Sequence, residues 1–463
     1  MKVEIPFSSG LIAVDVPDGT DVLGLGKTAS LPDPATSIRE SLANPIGSAS
    51  LLSIAARKKA LRATAKACIV VSDKTRPVPY KGEDGILQPI LATLVQAGYK
   101  PADILVLVAT GMHKPMDGKE LEAMLGPEPF ALGIPVRNHD GADLSSLVNV
   151  GKTSRGTEAL IDRSYVEADL KILTGLVESH FMAGASGGRK SVCPGLLGEA
   201  GTHVFHGPDL MAHPNTRDLM LEGNPVHEES LAVARLAGAD FIINVTVNSR
   251  FAPTGIFSGD LESAHDAAVD ELRKHVGIPI GKPYDLVITH GGFVASNHYQ
   301  AAKAGVAALG ALPASGGSLI LVADNWDAEP VGSDSYRIGL SLLKKVGPRI
   351  LNRILASPDW EFLVDQWEAQ MWAKVLEKVK QEDFVYFAPQ LGSADRRILP
   401  GTDGRALIGG DSARNGAEVS AFVSAAVLRF LSRRALGAPA AAKVIPRIAF
   451  LADGPYGIPF PAS

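Results

Sequence analysis

Short runs of aliphatic and β-branched residues alternate with segments of helical spacing along the whole chain. The runs predict buried strands over residues 68–72, 103–109, 135–139, 171–177, 240–247, 284–290, 318–323, 385–389 and 448–452. Apolar residues at helical spacing predict helices over residues 87–95, 118–125, 260–276, 297–305 and 360–380. The alternation predicts an α/β fold with largely parallel sheets flanked by helices.

The length of the chain favours two domains. A chain of 463 residues exceeds what one hydrophobic core usually serves. The segment GIPIGKP, residues 277–283, has the proline and glycine content of a hinge. We therefore expect an N-terminal α/β domain over 1–276, a C-terminal α/β domain over 284–463, and an active site in the cleft between them.

Composition and charge exclude several functional classes. The net charge is −5 with both signs interspersed, so neither a nucleic-acid-binding stripe nor a polybasic membrane anchor is expected. The first residues, MKVEIPFSSG, have no apolar signal-peptide core, and no apolar stretch is long enough to cross a bilayer. The two cysteines, Cys68 and Cys193, suit a reducing compartment. We expect a cytoplasmic protein.

The chemistry is concentrated in the segment 169–215, where a buried strand leads into a polar, glycine-rich loop. Four of the eleven histidines lie in this segment, and histidine is both a proton carrier near neutral pH and a common metal ligand. Glycine lets the backbone approach a ligand closely. The candidate residues of the loop are His180, Gly187, Gly188, Arg189, Lys190, His203, His206 and His213.

Polar residues also follow two other predicted strands of the first half. Asp73 and Arg76 come after strand 68–72, and His113 comes after strand 103–109. Because the carboxyl ends of parallel strands share one sheet edge, these groups and His180 are candidates to converge. In the second half, Gln300 and Lys303 lie three apart on one helical face. The pattern favours an enzyme site for an anionic substrate and leaves the reaction open.

Two sequence motifs offer other interpretations. GASGG (184–188) matches a hydrolase nucleophile elbow with Ser186 as nucleophile, and HGGF (290–293) resembles an oxyanion loop. However, the elbow does not directly follow its strand, and the order of the two motifs is reversed. GASGGRKS (184–191) resembles a phosphate loop, but Arg189 occupies the position of its last glycine.

Several motifs together resemble the nickel-dependent lactate racemase family. They are spread from the first half of the chain to Trp367, and each alone is a weak signal. The matching segments are SDKTRP (72–77), ATGMHKP (109–115), HFMAGASGGRK (180–190), FHGP (205–208), YQAAK (299–303) and DQW (365–367).

The resemblance implies a particular cofactor. It is a nickel-pincer nucleotide, pyridinium-3-thioamide-5-thiocarboxylic acid mononucleotide, covalently attached at Lys190, with His206 as a ligand of the nickel. Arg189, Gly187, Gly188, Tyr299 and Trp367 would surround the cofactor, and dedicated cofactor-synthesis enzymes would be required as partners. A neutral imidazole suits nickel, and a tethering lysine must be deprotonated to react.

The resemblance further implies racemisation or epimerisation at C2 of a 2-hydroxy acid by reversible hydride transfer to the cofactor. His113 and His180 match the family's two bases, one for each face of the substrate. Arg76 would bind the substrate carboxylate, Gln300 and Lys303 would orient its oxygen, and Asp73 would orient one of the cationic groups.

Departures from the family pattern concern the substrate and the C-terminus. The residues before Tyr299, GGFVASNH, differ from the expected form, and the family includes enzymes for larger 2-hydroxy acids and sugar acids, so the substrate stays open. The tail beyond about Leu436 is rich in proline and alanine and finds no match. A serine hydrolase using Ser186 and a nickel-nucleotide carrier protein are the alternative functions.

Overall fold

The apolar runs of the sequence form the strands of two six-stranded sheets in the computed structural model. The structure describes residues 1–7, 10–409, 416–437 and 445–462, so much of the proline- and alanine-rich segment after Leu436 lies outside the described residues. In chain order the strands are β1 (Lys2–Phe7), β2 (Gly10–Asp15), β3 (Asp21–Leu23), β4 (Ala67–Ser72), β5 (Ile104–Ala109), β6 (Val136–Asn138), β7 (Leu147–Lys152), β8 (Glu158–Asp162), β9 (Leu170–Leu176), β10 (Ser179–His180), β11 (Gly184–Ala185), β12 (Phe241–Val247), β13 (Pro253–Gly259), β14 (Gly277–Ile280), β15 (Leu286–His290), β16 (Ser318–Val322), β17 (Phe384–Phe387), β18 (Thr402–Asp403), β19 (Ile448–Leu451) and β20 (Ile458–Pro461).

Helices connect most of these strands, as expected for parallel sheets. In chain order they are α1 (Pro34–Ala43), α2 (Leu51–Leu61), α3 (Leu87–Gln96), α4 (Gly118–Leu125), α5 (Glu128–Ala131), α6 (Arg163–Val166), α7 (Glu199–Phe205), α8 (Pro208–Ala212), α9 (Pro225–Ala237), α10 (Ser263–Val276), α11 (His298–Ala308), α12 (Asp334–Val346), α13 (Pro348–Leu355), α14 (Gln366–Lys378), α15 (Ser393–Ile398), α16 (Arg405–Ile408) and α17 (Gly416–Gly437). None of the helices in the described part of the chain has the length and apolarity needed to cross a membrane.

The chain divides into two compact units. The first comprises Met1–Gly26, Gly207–Pro214 and Val276–Ser463, and the second comprises Lys27–His206 and Asn215–His275. The chain passes from the second unit back to the first at Val276. This point lies beside the segment 277–283, whose first four residues form strand β14. The N-terminal hairpin and the short helix α8 thus belong with the C-terminal part of the chain, although the sequence placed them in the N-terminal domain. The hinge itself stays a prediction.

The second unit is built on the sheet β13-β12-β9-β4-β5-β6. All its neighbouring strands are parallel except the antiparallel edge pair β12 and β13. Strand β4, at the centre, is buried over its first five residues, because helices cover both faces of a parallel sheet. The carboxyl ends of β4, β5 and β9 bring the loops that carry Asp73, His113 and His180 to one edge.

The first unit is built on the sheet β18-β17-β16-β15-β19-β3, in which every neighbouring pair is parallel. Its core joins the inner faces of β15, β16, β17 and β19 to helix α17 and the hairpin β1–β2. Strand β14 pairs with β20 in a separate two-stranded sheet of the same unit. The predicted α/β fold with largely parallel sheets is therefore confirmed.

Two element boundaries differ from the expectation for physical reasons. The helix predicted over 360–380 begins only at Gln366, because Asp365 has a left-handed backbone with φ of 67° that ends any preceding helical turn. The helix predicted over 260–276 begins at Ser263, after Asp260 accepts hydrogen bonds from the main-chain amides of Glu262 and Ser263.

Candidate active site

The loop after β9 is shaped by two glycines with left-handed backbones. Gly187 has φ of 76°, and a Cβ there would lie 2.6 Å from Val177 Cγ2. Gly188 has φ of 50°, and a Cβ there would lie 2.8 Å from the His265 ring. The Gly188 amide also donates to Asn244 Oδ1 over 3.0 Å. Side chains at either position would strain the backbone and collide with neighbours, so glycine is required here.

Arg189 braces this loop from inside the protein. Its side chain is almost fully buried, and its Nη2 donates to the main-chain oxygens of Ala183 and Ala185 over 2.8 and 2.9 Å. Nη1 lies 2.8 Å from His265 Nε2. Burial lowers the pKa of Arg189 to about 9, so the guanidinium still carries its charge at neutral pH. The charged guanidinium thus donates to main-chain oxygens of the loop. These hydrogen bonds fix the backbone that carries Lys190.

The amine of Lys190 lies next to the imidazole of His180. The two nitrogens, Lys190 Nζ and His180 Nε2, are 2.9 Å apart. The amides of Met182 and Ala183 both donate to His180 Nδ1 over 3.2 Å, so a neutral His180 carries its proton on Nε2 and donates it to the lysine nitrogen. This arrangement requires an unprotonated amine.

The electrostatics of Lys190 agree with this geometry. Burial holds the pKa of Lys190 well below its usual value, and the nearby positive charges of Arg76 and Arg189 lower the pKa further. A neutral amine is the nucleophilic form of lysine. The loop therefore presents a nucleophilic lysine beside the imidazole of His180.

A second histidine is paired with a buried carboxylate. His113 Nδ1 lies 2.6 Å from Asp73 Oδ2, and Thr75 donates to Asp73 Oδ1 through both its hydroxyl and its amide. Although burial raises the pKa of Asp73, the hydrogen bonds from His113 and Thr75 bring it below the usual value. The carboxylate thus stays ionised, fixes the tautomer of His113, and leaves Nε2 on the exposed side of the ring.

Arg76 lies near this pair and is engaged by an acid that the sequence analysis did not single out. Its Nη1 donates to Glu178 Oε1, and both side chains are partly exposed. The charges of Arg76 and Glu178 both act on Lys190. The sequence analysis assigns the guanidinium of Arg76 to the substrate carboxylate. In the structure this guanidinium is already hydrogen bonded to the Glu178 carboxylate.

His206 is held in the tautomer that suits a metal ligand. Its Nδ1 lies 3.0 Å from the main-chain oxygen of Thr202 and donates to it, which leaves the lone pair on Nε2. Burial lowers the pKa of His206 to about 3, so the ring is neutral at physiological pH. Within the described part of the chain, no group of three or more histidines, cysteines or acids is placed to hold a metal ion.

Tyr299, Gln300, Lys303 and Trp367 belong to the other unit, on α11 and α14. Asn297 caps α11 by accepting from the amide of Gln300 over 2.9 Å. Tyr299 and Glu368, the residue after Trp367 on α14, each influence the pKa of the other. Their position relative to His180 stays a prediction. Sequence reasoning missed Glu368, because a single acid in an amphipathic helix carries no signal of its burial.

Ser186, the nucleophile of the hydrolase alternative, is committed to the main chain. Its hydroxyl donates to the oxygen of Leu176 over 2.7 Å and accepts from the amide of Glu178 over 3.0 Å. The nearby His265 contacts the main-chain oxygen of Ser186 and not its hydroxyl. A nucleophilic serine instead needs a base on its hydroxyl, so the geometry disfavours this alternative.

Comparison with known proteins defines the class to which this site belongs. Residues 7–218 match the lactate racemase N-terminal domain, and residues 281–386 match the lactate racemase C-terminal domain. The lactate racemase of Lactiplantibacillus plantarum is 34% identical over 340 residues, covering 73% of this chain and 77% of that protein. The lactate racemase of Thermoanaerobacterium thermosaccharolyticum is 32% identical over 382 residues, covering 81% and 86%.

Solved structures give the same result for the fold. The lactate racemase apoprotein of Thermoanaerobacterium thermosaccharolyticum aligns with a TM-score of 0.82 at 27% identity, covering 99% of this chain and 100% of that one. A protein of Thermotoga maritima shares the fold with a TM-score of 0.61 at 16% identity, covering 94% and 99%. The chain belongs to the lactate racemase family, and its relatives support an isomerase of the racemase type.

Proposed function

We propose that the protein is a 2-hydroxy acid racemase or epimerase that carries a nickel-pincer nucleotide on Lys190. The observation that carries the proposal is the neutral Lys190 amine, placed 2.9 Å from the base His180 in a loop braced by Arg189. The relatives are named for lactate, and nickel is consistent with their family. A lactate-like or larger 2-hydroxy acid is the proposed substrate.

The residues present fit this cofactor. Lys190 offers the unprotonated amine that a covalent attachment requires. His206 offers one neutral imidazole nitrogen with its tautomer fixed by Thr202. A single protein donor suits a nickel ion whose other ligands come from the nucleotide. When bound, the nickel-pincer nucleotide would accept and return the hydride of the substrate C2 carbon.

The chain's own residues would handle the proton and the orientation of the substrate. Of His113 and His180, one would take the hydroxyl proton on its face of the substrate and the other would supply a proton on the opposite face. Asp73 keeps His113 in the correct tautomer and stabilises its protonated form. Gln300 and Lys303 would orient the substrate oxygen.

Arg76 would bind the substrate carboxylate in a bidentate manner. Glu178 accepts from one guanidinium nitrogen, Nη1, and a substrate carboxylate would bind the guanidinium beside Glu178 or in its place. The contact with Glu178 keeps Arg76 ordered before binding, and the guanidinium favours a ligand with a carboxylate of its own. This preference agrees with a hydroxy acid as substrate.

The test is mass spectrometry of the peptide containing Lys190, with metal analysis, after co-production with cofactor-synthesis enzymes. We expect a nucleotide-sized adduct on Lys190, stoichiometric nickel, and loss of optical purity in a 2-hydroxy acid. Lys190→Arg removes the adduct, whereas Lys171→Arg, a control on strand β9 of the same unit, retains it. Folded protein with an unmodified Lys190 and no nickel would overturn the proposal. The adduct without any turnover would instead indicate the carrier protein.

The cytoplasmic location stays a prediction.

A further inference from the structure

A carboxyl group that no part of the proposed mechanism uses lies in the core of the first unit. Glu368 follows Trp367 in α14, and its side chain is only 4% exposed. One of its oxygens, Oε2, has no hydrogen-bond partner among the described residues. A buried acid kept only for stability is expected to be fully hydrogen bonded or ion-paired. Glu368 is neither.

The neighbours of Glu368 are the residues assigned to the substrate. Tyr299 and Lys303 lie four apart on α11 and therefore share one helical face. A Cβ at Gly305 would lie 3.2 Å from Trp372 Cζ3, so α11 packs directly against α14. Tyr299 and the positive charge of Lys303 both lower the pKa of the Glu368 carboxyl group. The acid is thus coupled to two members of the substrate-facing set.

Packed rings hold α11 and α14 in register beside this carboxyl group. The rings of His298 and Trp372 stack with centroids 4.5 Å apart. Both residues also bond the hydroxyl of Tyr336, each over 2.8 Å. Because Trp372 lies one turn beyond Glu368, this cluster fixes the distance from Glu368 to the face that carries Tyr299 and Lys303.

Burial sets the protonation of the group. Burial raises the pKa of Glu368 to about 8, the positive charge of Lys303 opposes the rise, and Asp365 adds to it. The other ionisable groups that face it are the hydroxyls of Tyr299 and Tyr336, and burial holds both of their pKa values well above the usual value. Both tyrosines therefore remain protonated in the range where Glu368 titrates.

We propose that Glu368 is a positioning residue of the racemase site, which holds the Tyr299 hydroxyl and directs Lys303 toward the substrate oxygen. The proposal rests on the proposed function, since it concerns the residues that orient the 2-hydroxy acid. Glu368 acts through its two neighbours and does not itself contact the reacting atoms. Loss of the carboxyl group therefore changes turnover more than the fold.

The first test compares Glu368→Gln with Glu377→Gln in enzyme loaded to the same extent. Glu377 lies on the same helix, is exposed, and accepts from Asn352 over 3.1 Å, away from α11. We expect Glu368→Gln to lower kcat about tenfold, the usual size for loss of a supporting hydrogen bond. Its pH profile loses the limb near pH 8, while KM and Tm change little and Glu377→Gln behaves as wild type. Glu368→Asp restores part of kcat.

The second test needs no activity, so it separates this proposal from the proposed function. The infrared band of the protonated Glu368 carboxyl is followed against pH in unloaded protein, with Glu368→Gln as the blank. We expect a midpoint near pH 8 that rises in Lys303→Met, because the opposing positive charge is gone. The proposal is overturned if the pH midpoint of the Glu368 band lies in the usual range of glutamate. It is also overturned if the midpoint is unchanged in Lys303→Met. An active Glu368→Gln enzyme with the kcat and pH profile of the wild type overturns it as well.

Discussion

Two regions of the molecule use burial to hold ionisable groups neutral, and they do so in opposite directions. In the second unit, burial holds the pKa of the base Lys190 well below its usual value and lowers the pKa of His206 to about 3. In the first unit, burial raises the pKa of the acid Glu368 to about 8. Desolvation penalises the charged form of either kind of group. The comparison shows that one physical effect supplies both a reactive amine and a weakly acidic carboxyl.

The two regions differ in what holds the groups in place. The basic groups lie in a loop whose backbone is fixed by glycines with positive φ and by the charge of Arg189. The acid lies on a regular helix, fixed by stacked rings on its neighbour. The loop therefore depends on single hydrogen bonds, whereas the helix pair depends on packing. Substitutions are expected to act more sharply in the loop.

The largest effect is expected at the two histidines of the second unit. His113→Ala and His180→Ala, made separately, each lower the racemisation rate by about 10²–10⁴-fold, the usual contribution of a positioned acid or base. The rate is measured by chiral chromatography on enzyme with a confirmed Lys190 adduct. His275→Gln is the matched control, because His275 lies on α10 and pairs with Glu271 one turn away on the same helix.

Retained turnover in either histidine variant would contradict the two-base mechanism. It would also leave the second unit with a lysine for the cofactor but without assigned bases for the proton. The carrier-protein alternative instead predicts an intact adduct in both variants and no turnover even in the wild type. The two outcomes are therefore separated by one set of variants.

A large effect on stability is expected at Arg189. Arg189→Lys keeps the charge but cannot reach Ala183, Ala185 and His265 together, so buried acceptors lose their donor. We expect a loss of about 3 kcal/mol in the free energy of unfolding, as for other broken buried charge networks. Urea denaturation of protein without cofactor measures the change.

The control for Arg189 is Arg235→Lys, an exposed arginine that pairs with Glu262 on the surface of the same unit. Exposed ion pairs contribute less than about 1 kcal/mol, so this variant should unfold like the wild type. Equal stabilities for the two variants would show that the loop is held by its glycines alone. The glycine loop would then differ from the packed helices α11 and α14 through its backbone conformation and not through the hydrogen bonds of Arg189.

Much of the fold was predictable because periodicity records burial directly. Strands β4, β5 and β9 differ from their predicted bounds by a residue or so. In β4 and β5, five or more consecutive apolar residues between polar loops leave little alternative. The convergence of Asp73 with His113 followed from the shared edge of a parallel sheet. The grouping of Met1–Gly26 with the C-terminal half could not be predicted in this way. Strand β3 pairs with β19, which lies more than 400 residues later in the sequence.

The site residues that were not predicted are those whose role depends on a tertiary contact and not on the sequence pattern around them. Glu178 reads as a solvated acid until Arg76 is seen beside it. His265 reads as a core histidine on α10, and only the fold brings it to Arg189. Glu368 lies in a helix whose apolar positions predict a core face but give no sign that an acid shares it. Such residues become visible only through tertiary contacts.

The smallest effect is expected at Ser186, and it decides between the racemase and hydrolase interpretations. Ser186→Ala removes a hydroxyl that bonds only main-chain groups, Leu176 and Glu178. Loss of such hydrogen bonds costs about 1 kcal/mol of stability, and we expect racemisation to fall by less than about threefold, since a small loosening of the loop is all that reaches Lys190. A hydrolase would instead lose nearly all activity, because its nucleophile is gone. Abolished turnover with an intact Lys190 adduct would place Ser186 in the chemistry, and the loop would then supply a nucleophile in addition to its neutral bases.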